Sequence, residues 1–134
     1  MEILDTSAIL AFIKKEQGGE KVQKLIEEKQ RDGLAIFIHS INYIELICKC
    51  AQIYDAITTK HIIADLQSPW LGIMNYMDTE LTMYAAHLKT NYQLSLGDAT
   101  GLAYTKIMKG HFWTADKALL AIAQKEKIAL CLIR

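Results

Sequence analysis

Four acidic residues stand where solubility alone does not explain an acid. Asp5 closes the short run Glu2 to Leu4, and Asp116 stands two residues beyond the run His111 to Thr114. Asp98 lies inside the otherwise uncharged stretch Tyr92 to Lys106. On a helical wheel Glu45 falls beside Ile41, Ile44 and Cys48, within what reads as an apolar stripe, where a solvated glutamate would not normally sit. If the fold brings these carboxylates together they repel one another and raise each other's pKa, and a divalent cation relieves that conflict. The donors are hard oxygens with no His or Cys in matching positions, which selects Mg²⁺ or Mn²⁺ over Zn²⁺. A cation in an acidic pocket can polarise a phosphoryl oxygen, generate hydroxide and stabilise a leaving alkoxide, so phosphodiester hydrolysis is the reaction class this donor set suggests.

Periodicity supplies the elements that must position these groups. Apolar runs of strand length cover Glu2 to Leu4, Leu34 to Ile38, Trp70 to Asn75, His111 to Thr114 and Ile128 to Ile133. Between them, helical patterns follow Asp5-Thr6-Ser7 and then span Glu20 to Gln30, Ile41 to Ile53, Asp55 to Leu66 and Asp78 to Tyr92. Two more run from Ser95 to a stop at Gly110 and from Asp116 to Lys125. Turn signals are few: Gly18-Gly19, Asp32-Gly33, Ser68-Pro69 and Gly110. Strands that are apolar throughout and separated by helices predict an α/β fold, with about five parallel strands between helical layers. Ligands of such sheets bind at the strand carboxyl ends, and Asp5 and Asp116 both follow a strand directly.

Each acid also has a structural explanation. Asp5 could cap its helix, Ser95 and Asp98 have capping-box spacing, Asp116 near a helix start favours the macrodipole, and Glu45 could be a paired core carboxylate. Singly, the structural reading is favoured for Asp98 and Asp116; the convergence of all four is what it leaves unexplained.

Composition narrows the field. The chain has 134 residues, 15 Lys plus Arg against 15 Asp plus Glu, 51% hydrophobic residues and one proline. One globular domain over residues 1–134 fits, while disorder and fibrous classes do not. Apolar runs reach only about six residues against the ~20 of a membrane span, and no basic leader precedes an apolar stretch, so a cytoplasmic protein is expected. Cys48, Cys50 and Cys131 read as reduced thiols, since the C-x-C pair lacks a second pair or a nearby histidine. Zero net charge argues against a broad duplex-binding face but leaves room for a local cationic groove.

The segments Ile3-Leu4-Asp5-Thr6-Ser7, Asn42-Tyr43-Ile44-Glu45-Leu46, Leu96-Gly97-Asp98-Ala99 and Trp113-Thr114-Ala115-Asp116 resemble, in order, the four acidic motifs of the PIN-domain ribonucleases. The resemblance covers nearly the whole chain, whose length is similar to that of the VapC-type toxins of toxin-antitoxin pairs. It implies a metal-binding catalytic quartet of Asp5, Glu45, Asp98 and Asp116, with Ser7 and Thr114 as supporting hydroxyls. It further implies Mg²⁺ or Mn²⁺ as cofactor, single-stranded or loop RNA as substrate, and cleavage to a 5′-phosphate and a 3′-hydroxyl. A cognate antitoxin and a homodimer are the implied partners. PIN domains also serve in RNA processing and as scaffolds, so a catalytically quiet RNA- or protein-binding module stays open beside the toxin. A phosphoacceptor receiver domain is set aside, because it needs paired acids after the first strand and a lysine after the last, where Asp5 stands alone and the chain ends at Arg134.

Candidate contacts to RNA are Lys14, Lys15, Lys106, Lys109, His111 and Lys117; ordinary solvated charge is the favoured reading for each. Phe112 and Trp113 could stack on bases, with core packing favoured. Ile9, Leu10, Phe12, Ile13, Val22, Leu25 and Ile26 exceed what one sheet face obviously needs, which leaves room for an antitoxin groove between the first helices, although most should be core. Tyr43, Leu46 and Tyr54 are the candidates for a dimer surface.

Overall fold

A computed structural model describes residues 1–67 and 69–134. Strand β1 (Glu2–Leu4) leads through Asp5 into α1 (Thr6–Ile13) and α2 (Gly19–Arg31), followed by β2 (Ile36–His39), α3 (Ser40–Ile53) and α4 (Ala56–Leu66). The second half runs β3 (Leu71–Met74), α5 (Thr79–Tyr92), α6 (Leu96–Met108), β4 (His111–Thr114), α7 (Leu119–Glu126) and β5 (Ala129–Leu132). All strands pair in parallel in the order β3-β2-β1-β4-β5, the five-stranded α/β architecture that the apolar runs predict.

Period-two alternation divides the core between the sheet's faces. Leu4, Ile36 and Ile38 pack with Ala8, Ile9, Val22, Leu25, Leu46 and Leu66 under α1 to α4. Ile3 and Phe112 pack with Leu81, Leu88, Leu102, Leu119 and Ala123 under α5 to α7. Each fully buried aliphatic or aromatic side chain contributes about 1.5–3 kcal/mol, so both faces need their helical layer. Side-chain caps start α1, α3, α4, α5 and α6 at Asp5, His39, Asp55, Asp78 and Ser95, each occupying otherwise orphaned helix N–H groups.

Element edges differ from the sequence reading in small, explicable ways. Leu34 lies before β2 and is exposed, because Gly33 in the left-handed region turns the chain and the Leu34 N–H bonds back to the Lys29 carbonyl. Helix α7 starts at Leu119, since Asp116 and Lys117 form the turn that precedes it. Within the predicted Ser68-Pro69 turn, Ser68 lies outside the described residues. No helix among the described residues is long and apolar enough to cross a membrane.

Successive connections leave β1 toward β2 on one side and reach β4 on the other, so the strand order reverses beside β1. A crevice opens at such a switch point at the carboxyl ends of the strands. Asp5 leaves β1 there, its N–H continuing the ladder to the Trp113 carbonyl of β4 at 2.9 Å.

Candidate functional site

Asp5 is 5% exposed and fully engaged. Its Oδ1 accepts from the Thr6 N–H at 2.8 Å and the Asn42 Nδ2 at 3.3 Å. Its Oδ2 accepts from the Ser7 hydroxyl at 2.6 Å and the Thr114 hydroxyl at 2.9 Å. The capping role and a place in the crevice therefore belong to one carboxylate. Ser7 and Thr114 each have one proton, and both are committed to Asp5. Their oxygens in turn accept from the N–H groups of Ala115 and Asp116 at 2.9 and 3.1 Å. These relays tie the loop carrying Asp116 to Asp5 through neutral groups, which orient the carboxylate without neutralising it.

Asp98 stands in the first turn of α6, with its N–H donating to the Ser95 hydroxyl at 3.1 Å. Its pKa is pushed up to about 6, first by burial and then by the charge of Asp5, with Asp116 and Glu45 adding to the push while Ser95 opposes it. Glu45, on α3, is raised as well, by burial and then by Asp5, while Lys49 one turn further along opposes the shift. Its carboxylate lies against α6 at Gly97, where a Cβ would overlap it. Any larger residue there would push the Glu45 carboxylate out of its present place. Asp116 is exposed and also caps its turn, accepting from the Ala118 N–H at 2.9 Å.

The fold thus brings the four acids close enough for Asp98 to feel the other three. As they stand, no three His, Cys, Asp or Glu side chains among the described residues are gathered to hold a cation. The donor chemistry still fits a hard divalent ion: the carboxylates repel one another, and the nearest imidazole is committed elsewhere. His39 Nδ1 accepts from the Ile41 N–H at 3.2 Å, so its Nε2 carries the proton and donates to the Tyr76 carbonyl at 2.7 Å.

Several residues stand elsewhere than the sequence suggests. The buried stripe of α3 is Asn42, Tyr43, Leu46 and Cys50; Ile44 and Cys48 are exposed, so Glu45 lies at the margin of that stripe rather than within it. Leu46 and Tyr43 are core residues and offer no free dimer surface, while Tyr54 is half-buried beside them. Lys106, Lys109 and His111 lie at the opposite edge of the sheet. Helix α6 (Leu96–Met108) runs from Asp98 toward that edge, placing Lys106 about 12 Å along its axis and its last residue about 15 Å. At that far end Lys106 Nζ donates to the Glu126 carbonyl, and His111 pairs with Glu2 at the strand starts. Lys14 is paired with Glu16 at 2.7 Å. Lys49 lies close enough to Glu45 to oppose its shift, and the exposed Lys117 follows Asp116 in the chain. Phe112 is core, and the half-buried Trp113 donates its indole N–H to Glu2. Of the early apolar residues, Ile9, Val22, Leu25 and Ile26 are core, whereas Phe12 and Ile13 line a groove of about 500 Å³ with Lys15, Ile62, Leu66 and Trp70.

Asn42, Gly97 and Lys49 are the residues that sequence reasoning missed. The signal for Asn42 was a lone amide on an otherwise apolar stripe. For Gly97 it was a glycine in a first helical turn next to an acid.

The PIN domain family profile matches residues 3–125. No curated protein sequence matches the chain. Among solved structures, a chain of VapBC2 from Rickettsia felis, bound to a DNA fragment from its promoter, superposes with a TM-score of 0.73 at 16% identity, over 98% of this chain and 97% of that one. A chain of FitAcB from Neisseria gonorrhoeae gives 0.69 at 16% identity, over 99% and 98%. A toxin-antitoxin complex from Klebsiella pneumoniae gives 0.68 at 14% identity, over 100% and 98%. Identities this low establish a shared fold.

Proposed function

The chain belongs to the PIN domain family, and on that premise we propose that it is a divalent-cation-dependent endoribonuclease acting as the toxin of a VapBC-type pair. The observation that carries the reading is the mutual repulsion of Asp98 with Asp5, Asp116 and Glu45 at the switch-point crevice. These four residues would hold Mg²⁺ or Mn²⁺, which when bound supplies Lewis acidity at the phosphodiester and lowers the pKa of water. Hydrolysis then adds water across the P–O3′ bond and leaves a 5′-phosphate and a 3′-hydroxyl.

The chain's own contribution is orientation and charge. Ser7 and Thr114 hold Asp5 Oδ2 in one direction, and the Thr6 N–H fixes Oδ1. With a pKa of about 6, Asp98 is mostly ionised at neutral pH, and a bound cation's charge would favour the anion further. Lys117 and Lys49 supply positive charge for RNA phosphates beside the acids. The groove lined by Phe12, Ile13, Ile62, Leu66 and Trp70 is the proposed antitoxin seat, in keeping with the toxin-antitoxin complexes among the similar structures. Self-association belongs to the same proposal, with Ile53 and the 71%-exposed Ile57 as candidate contacts on adjoining helices. A cytoplasmic site of action, where such an RNA substrate is met, completes it.

RNA cleavage by the purified chain in Mg²⁺ or Mn²⁺, abolished by EDTA, is the expected result. Cleavage that persists in EDTA would defeat the reading. The open spacing of the acids favours one alternative, a quiet PIN module that binds RNA or protein; cation binding without cleavage of any RNA would select it. Use of the same activity in RNA processing is distinguished by whether a neighbouring reading frame encodes a small partner that inhibits cleavage.

A further inference from the structure

Asn42 lies outside the acid quartet, yet its side chain is hydrogen-bonded to Asp5 and to the α6 turn next to Asp98. It is 1% exposed. Both protons of its Nδ2 are used, one on Asp5 Oδ1 at 3.3 Å and one on the Gly97 carbonyl at 3.1 Å. Its own carbonyl accepts from the Thr6 hydroxyl at 2.8 Å. Both side-chain partners are pure acceptors, so the amide can face them only with its NH₂ end; the opposite orientation would set oxygen against oxygen. Oδ1 is left toward α6 at Gly101, where a Cβ would stand 3.4 Å away, and it has no protein partner. A buried acceptor without a partner is costly, and the fold accepts that cost at the residue that joins β1, α1, α3 and α6.

We infer that Asn42 is a positioning residue: its amide bridges Asp5 and the α6 turn that carries Asp98, and the span it sets determines how tightly the crevice takes up a divalent cation. This rests on the nuclease reading, in which both acids face that cation. The residue type follows from the task. A lysine or arginine there would neutralise Asp5 and displace the ion, and an acid would add repulsion. A hydroxyl could reach only one acceptor. An amide fixes two elements and leaves the charge of Asp5 intact. Glu45 lies three residues on along the same helix and against the same Gly97, so a shift at Asn42 moves a third carboxylate with it.

The test is Mn²⁺ binding to the purified chain, followed by the EPR signal of free Mn²⁺, with folding checked by circular dichroism. Asn42→Leu keeps the volume and removes both donors; it is expected to weaken Mn²⁺ binding about 10-fold or more. Asn42→Thr keeps one donor and should fall between, and it carries the test alone if the leucine variant does not fold. Leu88→Ala, a cavity in the core under the opposite face, should lower the melting temperature without changing Mn²⁺ affinity. Parent-like affinity in the folded Asn42 variants would overturn the inference and leave the nuclease reading standing. An equal loss in Leu88→Ala would overturn it too, by tracing the effect to general loosening. Absence of Mn²⁺ binding by the parent chain would overturn both.

Discussion

The two edges of the sheet carry opposite charge and handle it differently. At the amino edge Lys106, Lys109, Lys127 and His111 line a cavity of about 350 Å³. Lys106 donates there to the carbonyl of Glu126, and His111 meets Glu2. The three lysines sit where the carbonyl ends of α6 and α7 emerge, which suits the helix dipoles. At the carboxyl edge Asp5, Asp98 and Asp116 also lie near helix starts, which suits the macrodipole, but their charges act on one another. Asp98 is destabilised as an anion first by burial and then by Asp5, with Asp116 and Glu45 adding to the effect. A net charge of zero therefore hides a polarised molecule, balanced at one end and in conflict at the other. Such a conflict is what the proposed cation would relieve.

The largest effect should separate the edges by activity. Asp5→Asn or Asp98→Asn is expected to reduce RNA cleavage on the order of 100-fold or more, with circular dichroism unchanged. Lys106→Ala and Lys109→Ala should leave the rate within about twofold. Equal losses at both edges would break the comparison. Removing one neutral support should cost less: Thr114→Val keeps the shape, leaves Asp5 Oδ2 with Ser7 as its one side-chain donor, frees the Asp116 N–H, and is expected to slow cleavage by about 10-fold. A rate equal to the parent's would show that the hydroxyl relay does not position Asp5.

Stability should report the same conflict more quietly. The pKa of Asp98 is raised to about 6 in the fold from an ordinary value of 3.8, so the folded chain holds this proton more tightly than the unfolded one. Its contribution is therefore most favourable below about pH 4 and is lost as pH rises through 6. In EDTA, the parent should lose roughly 2–5 °C of melting temperature between pH 4.5 and pH 7 from this group, and Asp98→Asn should flatten that slope. A variant that melts several degrees lower at every pH would instead assign Asp98 a capping role beside Ser95.

The contrast between edges was only half legible in the sequence. Apolar runs such as Leu34 to Ile38 announce strands covered on both faces, and Asp5 and Asp116 are visible because each follows a strand within two residues. Glu45 was noticed for an imperfect reason. The wheel placed it in a stripe with Ile44, which is 57% exposed, whereas the true buried stripe carries Asn42. Periodicity counts apolar positions and cannot tell a core contact from an exposed one when both faces of a helix carry aliphatic residues. Solvated charge, the reading favoured for Lys106 and His111, fits their place at the amino edge, but the sequence does not tell which end of α6 or β4 a residue occupies relative to the acids. Asn42 was silent for a further reason: its partners stand 37 and 55 positions away, and only the folded chain pairs them.

Anomalous diffraction from crystals of the chain soaked in Mn²⁺ tests the central claim most directly. A strong peak in the crevice, with oxygens of Asp5 and Asp98 as direct ligands and Glu45 or Asp116 direct or bridged by water, is the predicted result. A crevice without a peak, or one in which Lys49 or Lys117 has swung in to pair with the acids, would contradict it.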